Sequence, residues 1–124
     1  MKKFRNGDFH ILLATNIIAR GIDIRDVCFV INCDAPREKG DKGKGEDGCI
    51  SIDTYLHRVG RTGRYSDKGI ALTIVPGEKD KKYLVDSVER VHKVSIKDIV
   101  SVSALHDQIL KCIAFNTNTN DIKN

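Results

Sequence analysis

A parallel α/β sheet with flanking helices is the fold class that the sequence predicts, on three observations. Short apolar runs of strand length recur along the chain, turn residues close each run, and amphipathic helical spacing follows. Only three strand candidates are present, where a complete doubly wound sheet has about five or six. The chain is therefore expected to begin in mid-domain, with the N-terminal part of its sheet missing. At 124 residues it has room for one compact domain.

The first strand candidate is His10-Ile11-Leu12-Leu13-Ala14, whose apolar run suits a strand buried on both faces of a parallel sheet. It opens into a polar Thr15-Asn16. The second is Val27-Cys28-Phe29-Val30-Ile31-Asn32-Cys33, stopped by Asp34-Ala35-Pro36 because proline lacks a ladder donor and restricts its predecessor. Cys28 and Cys33 lie an odd number of residues apart, so they point to opposite faces and cannot pair with each other. Both are expected to fill the core.

Residues 37–48 are charged and carry Gly40, Gly43, Gly45 and Gly48, a composition that cannot bury enough surface to order itself. A flexible surface loop over 37–50 is expected. Ser51 or Asp53 can then cap a short helix through Thr54-Tyr55-Leu56-His57-Arg58-Val59, which Gly60 and Gly63 end. Gly69-Ile70-Ala71-Leu72-Thr73-Ile74-Val75 is the third strand, closed by Pro76-Gly77.

Leu84, Val88 and Val91, with Val85 beside them, recur at helical spacing and predict an amphipathic helix lying on the sheet. A last helix is expected from a Ser103 cap, with Leu105, Ile109, Cys112 and Ile113 on one stripe. The asparagine-rich residues 116–124 are expected to be a frayed or disordered tail, which leaves 1–115 for the domain.

Composition narrows the function classes. No apolar stretch reaches the roughly 18 residues of a membrane span, and the basic N-terminus is not followed by a signal-like apolar run. No membrane association is expected, and the cytoplasm or nucleus is the expected compartment. Cys28, Cys33, Cys49 and Cys112 form no C-x-x-C pair and have no histidine at ligand spacing, so no metal site is expected. The formal charge of +4, from 21 Lys+Arg against 17 Asp+Glu, is compatible with a polyanionic partner without demanding one.

Two constellations carry chemistry. Ala14-Thr15-Asn16-Ile17-Ile18-Ala19-Arg20-Gly21-Ile22-Asp23 leaves the C-terminal end of the first strand candidate, where ligands of open α/β sheets bind. Thr15 offers a hydroxyl, Gly21 lets backbone approach a phosphate, and Asp23 can accept a hydrogen bond from a ribose hydroxyl. Singly, each has a plainer reading as a strand end, a left-handed turn or a cap.

In Tyr55-Leu56-His57-Arg58-Val59-Gly60-Arg61-Thr62-Gly63-Arg64, arginines recur every third residue between glycines. A guanidinium is permanently charged and forks onto phosphate oxygens, which suits a site where negative charge develops in phosphoryl transfer. The same residues also fit a solvated basic helix end or an arginine- and glycine-rich RNA-binding patch.

Together, Thr15-Asn16-x-x-Ala19-Arg20-Gly21-Ile22-Asp23 and His57-Arg58-Val59-Gly60-Arg61-Thr62-Gly63-Arg64 resemble motifs V and VI of the DEAD-box RNA helicases, in order and approximate spacing. The resemblance covers residues 4–91, including the intervening Val30-Ile31-Asn32-Cys33-Asp34-Ala35-Pro36. It implies part of the second of two RecA-like (P-loop NTPase-type) domains. Arg61 and Arg64 would then be catalytic arginine fingers at the ATP γ-phosphate, and Asp23 would meet the nucleotide ribose. Thr15, Arg20 and Gly21 would contact the RNA backbone, and His57 with Arg58 would organise the interdomain network. Mg2+ would be held by the first domain.

Asn16, where many members carry aspartate, and the stretch from Asp34-x-Pro36 to Thr54-Tyr55-Leu56-His57 look most like the subfamily that remodels messenger ribonucleoprotein at the nuclear pore. Nuclear-pore or mRNA-export factors would be partners beside RNA and the first RecA-like domain. No G-x-x-x-x-G-K-[ST] segment and no Asp-Glu-Ala-Asp segment occurs. The chain by itself is therefore expected to be inactive, since fingers act only on a nucleotide held by the partner domain. The rival reading is a non-catalytic RNA-binding or adaptor fragment.

Overall fold

The computed structural model describes residues 2–15, 27–38, 48–63 and 68–122. Its elements run α1 (Lys2–Arg5), β1 (Phe29–Asn32), α2 (Ile52–Val59), β2 (Ile70–Thr73), α3 (Glu78–His92) and α4 (Val102–Ile122). No helix among the described residues is long and apolar enough to cross a membrane.

β1 and β2 pair in parallel, with Phe29 opposite Ile70, Val30 opposite Ala71, Ile31 opposite Leu72 and Asn32 opposite Thr73. Parallel neighbours need a crossover connection, and α2 lies within it, giving the β-α-β unit that the alternating pattern predicts. The ladder continues past both strand ends, where Ile70 N donates to Cys28 O and Ile74 N to Asn32 O, each at 3.0 Å. At the C-terminal end Asn32 Nδ2 donates to Thr73 Oγ1 at 3.0 Å, which satisfies a polar side chain that is otherwise buried.

The core is a cluster of Ala35, Ile50, Tyr55, Leu84 and Val88, onto which Ile52, Leu56, Val59, Val75 and Ile96 pack. Leu84 and Val88 stand one helical turn apart on α3, as their spacing predicts. Val91 shares that stripe but is 62% exposed, because the last turn of α3 outruns this small cluster. Tyr55 brings α2 into the same cluster. Burial pushes its phenol above the ordinary tyrosine range, against a smaller opposing effect of its hydrogen bond with Thr73.

Tyr55 gives a pH prediction. A phenol that ionises less readily folded than unfolded contributes stability that is complete below about pH 10 and is lost as pH rises through the raised folded value. Urea midpoints should therefore fall less steeply above about pH 10 in Tyr55→Phe than in the parent. Lys81, also raised, chiefly by its hydrogen bond to Asp98, accounts for part of the residual slope. Identical slopes in parent and variant would refute the Tyr55 assignment.

Several elements differ from expectation. Residues 10–14 form no strand, and Ile11 and Leu13 are 80% and 91% exposed. A buried strand needs a ladder partner, and among the described residues the sheet contains only β1 and β2. Cys28 and Cys33 are exposed rather than core, because β1 is four residues long and both fall just outside it. Cys112 alone of the four cysteines is buried.

The last helix begins two residues earlier than expected. Ser101 caps it, its Oγ accepting from Ala104 N at 3.1 Å and its carbonyl from Leu105 N at 3.2 Å, so Ser103 falls in the first turn. The helix also continues past Asn116 to Ile122. The Asn116 side chain is hydrogen-bonded to the backbone of Lys68, a partner outside its own helix. Of the expected stripe, Ile113 is 55% exposed.

The two ends of the charged segment after β1 meet at one place. Arg37 and Ile50 form an antiparallel bridge, Glu38 N donates to Cys49 O at 2.9 Å, and Arg37 Nη1 donates to Gly48 O at 3.0 Å. Arg37 also pairs with Asp80 of α3. The expected surface loop has its middle, 39–47, outside the described residues.

Candidate functional site

The arginine-bearing segment is built outward from a capped helix. Ser51 N donates to Pro36 O at 2.7 Å, placing the start of α2 beside the turn that ends β1. Ser51 Oγ accepts from Thr54 N at 3.4 Å, which makes Ser51 the cap and leaves Asp53 in the first turn. Gly60 closes the helix, its N–H donating to Leu56 O at 2.8 Å. Two tighter turns follow, with Arg61 N on Arg58 O and Thr62 N on Val59 O, both at 3.2 Å. Gly63 then takes a left-handed conformation with φ of 69°, which a side chain would strain.

Arg58 is committed within the chain. Its Nη1 donates to Asp34 O at 2.9 Å and Asp34 Oδ1 at 3.2 Å, with only 13% of the side chain exposed. The last turn of α2 is thereby tied to the turn after β1. His57 Nδ1 stands 3.3 Å from Asp53 Oδ2, one turn earlier on the same helix. Arg61 folds back so that Nε donates to His57 O at 3.0 Å. That carbonyl belongs to the negative end of the helix dipole, where cationic groups are favoured.

The turn is also held from below. A Cβ on Gly69 would stand 1.9 Å from Thr62 Oγ1, 2.8 Å from Thr62 Cβ and 2.5 Å from Gly63 N, so the approach of Thr62-Gly63 to the start of β2 depends on a bare backbone at 69. Thr62 Oγ1 is buried there, with no hydrogen-bond partner among the described residues. Gly69→Ala is expected to lower stability by about 1–3 kcal/mol through overpacking, read as a lower urea midpoint. Adding Thr62→Ala should recover little, since the Gly63 nitrogen still obstructs the methyl. An unchanged midpoint in Gly69→Ala would show that the turn can move away freely.

The expected site residues divide into two groups. The structure brings His57, Arg58 and Arg61 together at the end of α2. Thr15 is exposed at the end of the described N-terminal residues, whereas Arg20, Gly21, Asp23 and Arg64 lie outside the described residues. Asp34 and Gly69 serve the site without having been singled out for it. Asp34 reads in sequence as a strand stop, and Gly69 as the first residue of a strand. Only the tertiary fold shows one anchoring Arg58 and the other admitting Thr62.

Chemically, the arrangement offers guanidinium at a fixed backbone turn and suits phosphate oxygens. Among the described residues no three His, Cys, Asp or Glu side chains converge as a metal site would require.

Comparison with known proteins bears on this geometry. Residues 1–66 match the family model of the helicase conserved C-terminal domain. The chain is similar to the ATP-dependent RNA helicase DBP5 of Mycosarcoma maydis, with 39% identity over 98 residues, covering 79% of this chain and 20% of that protein. It is similar to the DEAD-box helicase Dbp80 of Drosophila melanogaster, with 39% identity over 93 residues, 75% of this chain and 19% of that protein. It is also 42% identical over 98 residues to DEAD-box ATP-dependent RNA helicase 15 of Arabidopsis thaliana, covering 79% of this chain and 20% of that protein. The chain thus spans about a fifth of the length of the curated relatives it matches.

Proposed function

This chain belongs to the helicase conserved C-terminal domain family, among the DEAD-box RNA helicases, and from that premise we propose that its arginine turn completes an ATPase site whose nucleotide is held by a first RecA-like domain. The observation that carries the proposal is the double anchoring of that turn. Arg58 ties α2 to Asp34, and Gly69 admits Thr62 and Gly63. An electrostatic contribution to a transition state requires donors placed in advance, and a turn fixed on both sides meets that requirement.

In this reading Arg61 and Arg64 reach the γ-phosphate of ATP, and Asp23 meets the ribose. Thr15, Arg20 and Gly21 grip the RNA backbone, while His57 and Arg58 organise the closed interface between the domains. The partner domain supplies the Mg2+ site and the phosphate cradle. RNA is held by sugar and phosphate rather than by base edges, so recognition is independent of sequence. The domain part runs from residue 1 through the expected boundary at 115 and takes in Asn116, whose amide is bonded to the Lys68 backbone. The finer role is messenger ribonucleoprotein remodelling in mRNA export, in cytoplasm and nucleus and with export factors at the nuclear pore. It is supported by Asn16 and by the stretch from Asp34 to His57, which resemble that subfamily.

The test is to add the chain to a separately purified first RecA-like domain of such a helicase, with RNA, and to measure ATP turnover. Turnover is expected only with both proteins present and none with the chain alone. RNA binding that weakens with salt, ignores nucleotide and accompanies no turnover would replace this reading with that of a non-catalytic RNA-binding or adaptor module.

A further inference from the structure

α4 grips the backbone on the far side of the arginine turn through one amide side chain. Lys68 N donates to Asn116 Oδ1 at 2.9 Å, and Asn116 Nδ2 donates to Lys68 O at 2.9 Å. Both polar groups of one backbone residue are thus taken by a single asparagine, as a neighbouring strand would take them. Cys112, one helical turn before Asn116, adds its Sγ as a donor to the same carbonyl at 3.2 Å. The Lys68 ammonium lies 3.8 Å from the centroid of the Phe115 ring, within cation–π range.

The position of Lys68 gives this grip its consequence. The next residue is Gly69, whose backbone presses against Thr62 and Gly63. With no side chain at 69 to absorb a displacement, movement of Lys68 passes directly to the arginine turn. We propose that Asn116 is a positioning residue for that turn, supported by Cys112 and Phe115. α4 thereby sets where Arg61 stands, although the helix lies wholly outside the family-matched residues 1–66. The catalytic consequence rests on the function proposed above, whereas the mechanical coupling does not.

The experiment separates the two. Asn116→Leu keeps the branching and the number of side-chain heavy atoms, in a somewhat larger volume, but removes both hydrogen bonds, and Asn116→Gln keeps the amide on a longer stem. In amide NMR spectra of the chain, Asn116→Leu should speed hydrogen exchange at Lys68 by about tenfold or more, the expected consequence of losing two modest hydrogen bonds. The Thr62 and Gly63 amide signals should move with it, the Leu84 and Val88 methyl signals should stay, and Asn116→Gln should lie nearer the parent.

Assembled with a first RecA-like domain and RNA, Asn116→Leu should lower kcat by about ten- to a hundredfold, with KM for ATP little changed. If exchange at Lys68 quickens while Thr62 and Gly63 stay still, or nothing moves, the coupling is refuted. If the core methyls shift as well, α4 is a general support and the proposal also fails. If the coupling appears but the assembly turns over no ATP even in the parent, the fault lies with the proposed function instead.

Discussion

Arg61→Ala is expected to lower ATP turnover of the assembled enzyme by about 10³-fold or more, the effect known for removing an arginine finger. The expectation follows from what the side chain meets. The negative charge that develops on the transferring phosphoryl oxygens is stabilised only by groups already in place, and Arg61 is held by its own Nε on His57 O. Arg61→Lys should recover little, because an ammonium keeps the charge but has no second arm with which to hold the helix end and the phosphate together. RNA affinity without nucleotide should change by no more than a loss of one phosphate contact allows. Turnover within about twofold of the parent in Arg61→Ala would place the arginine outside the reaction, since a finger is worth orders of magnitude.

Leu84→Ala should destabilise the chain by about 2–5 kcal/mol. Leu84 is 3% exposed in a cluster with Ala35, Ile50, Tyr55 and Val88, so truncation removes apolar burial and leaves a cavity that this short list of neighbours cannot fill. Against a typical domain stability of about 5–15 kcal/mol the loss is large enough to leave the chain marginally folded. Urea titration should show a lower midpoint at unchanged slope, whereas Arg61→Ala, at a partly exposed position, should barely move it. A midpoint change equivalent to less than about 1 kcal/mol for Leu84→Ala would mean that the cluster around Leu84 is not the core.

What the sequence showed was set by the range of the forces involved. The capped helix at Ser51, the strands around Val30 and Ala71, and the buried pair Leu84 and Val88 were legible because each is written in a local pattern of capping, apolar runs or helical spacing. The helix end that carries the arginine segment was legible for the same reason. Residues 10–14 misled because apolarity marks the wish to be buried and does not supply the neighbour that buries. Cys28 and Cys33 misled because strand ends cannot be fixed to a residue from composition.

The contacts of Arg58 with Asp34, Gly69 with Thr62, and Asn116 with Lys68 lie 24, 7 and 48 positions apart in the chain. No periodic signal links such positions. Asn116 is the sharpest case. An asparagine at the head of a polar stretch reads as the end of order, yet its amide is bound to a strand-entry backbone that only folding brings near.

The bridge between Arg37 and Ile50 has a practical consequence of another kind. It brings the two ends of the intervening segment together at one place on the fold. Lengthening a loop whose mouth is already closed costs only about 0.6 kcal/mol for each doubling. Positions 39–47 are therefore a natural port for a foreign sequence. An epitope or a small reporter domain grafted there is expected to leave the Arg37–Ile50 bridge and the urea midpoint of the chain little changed.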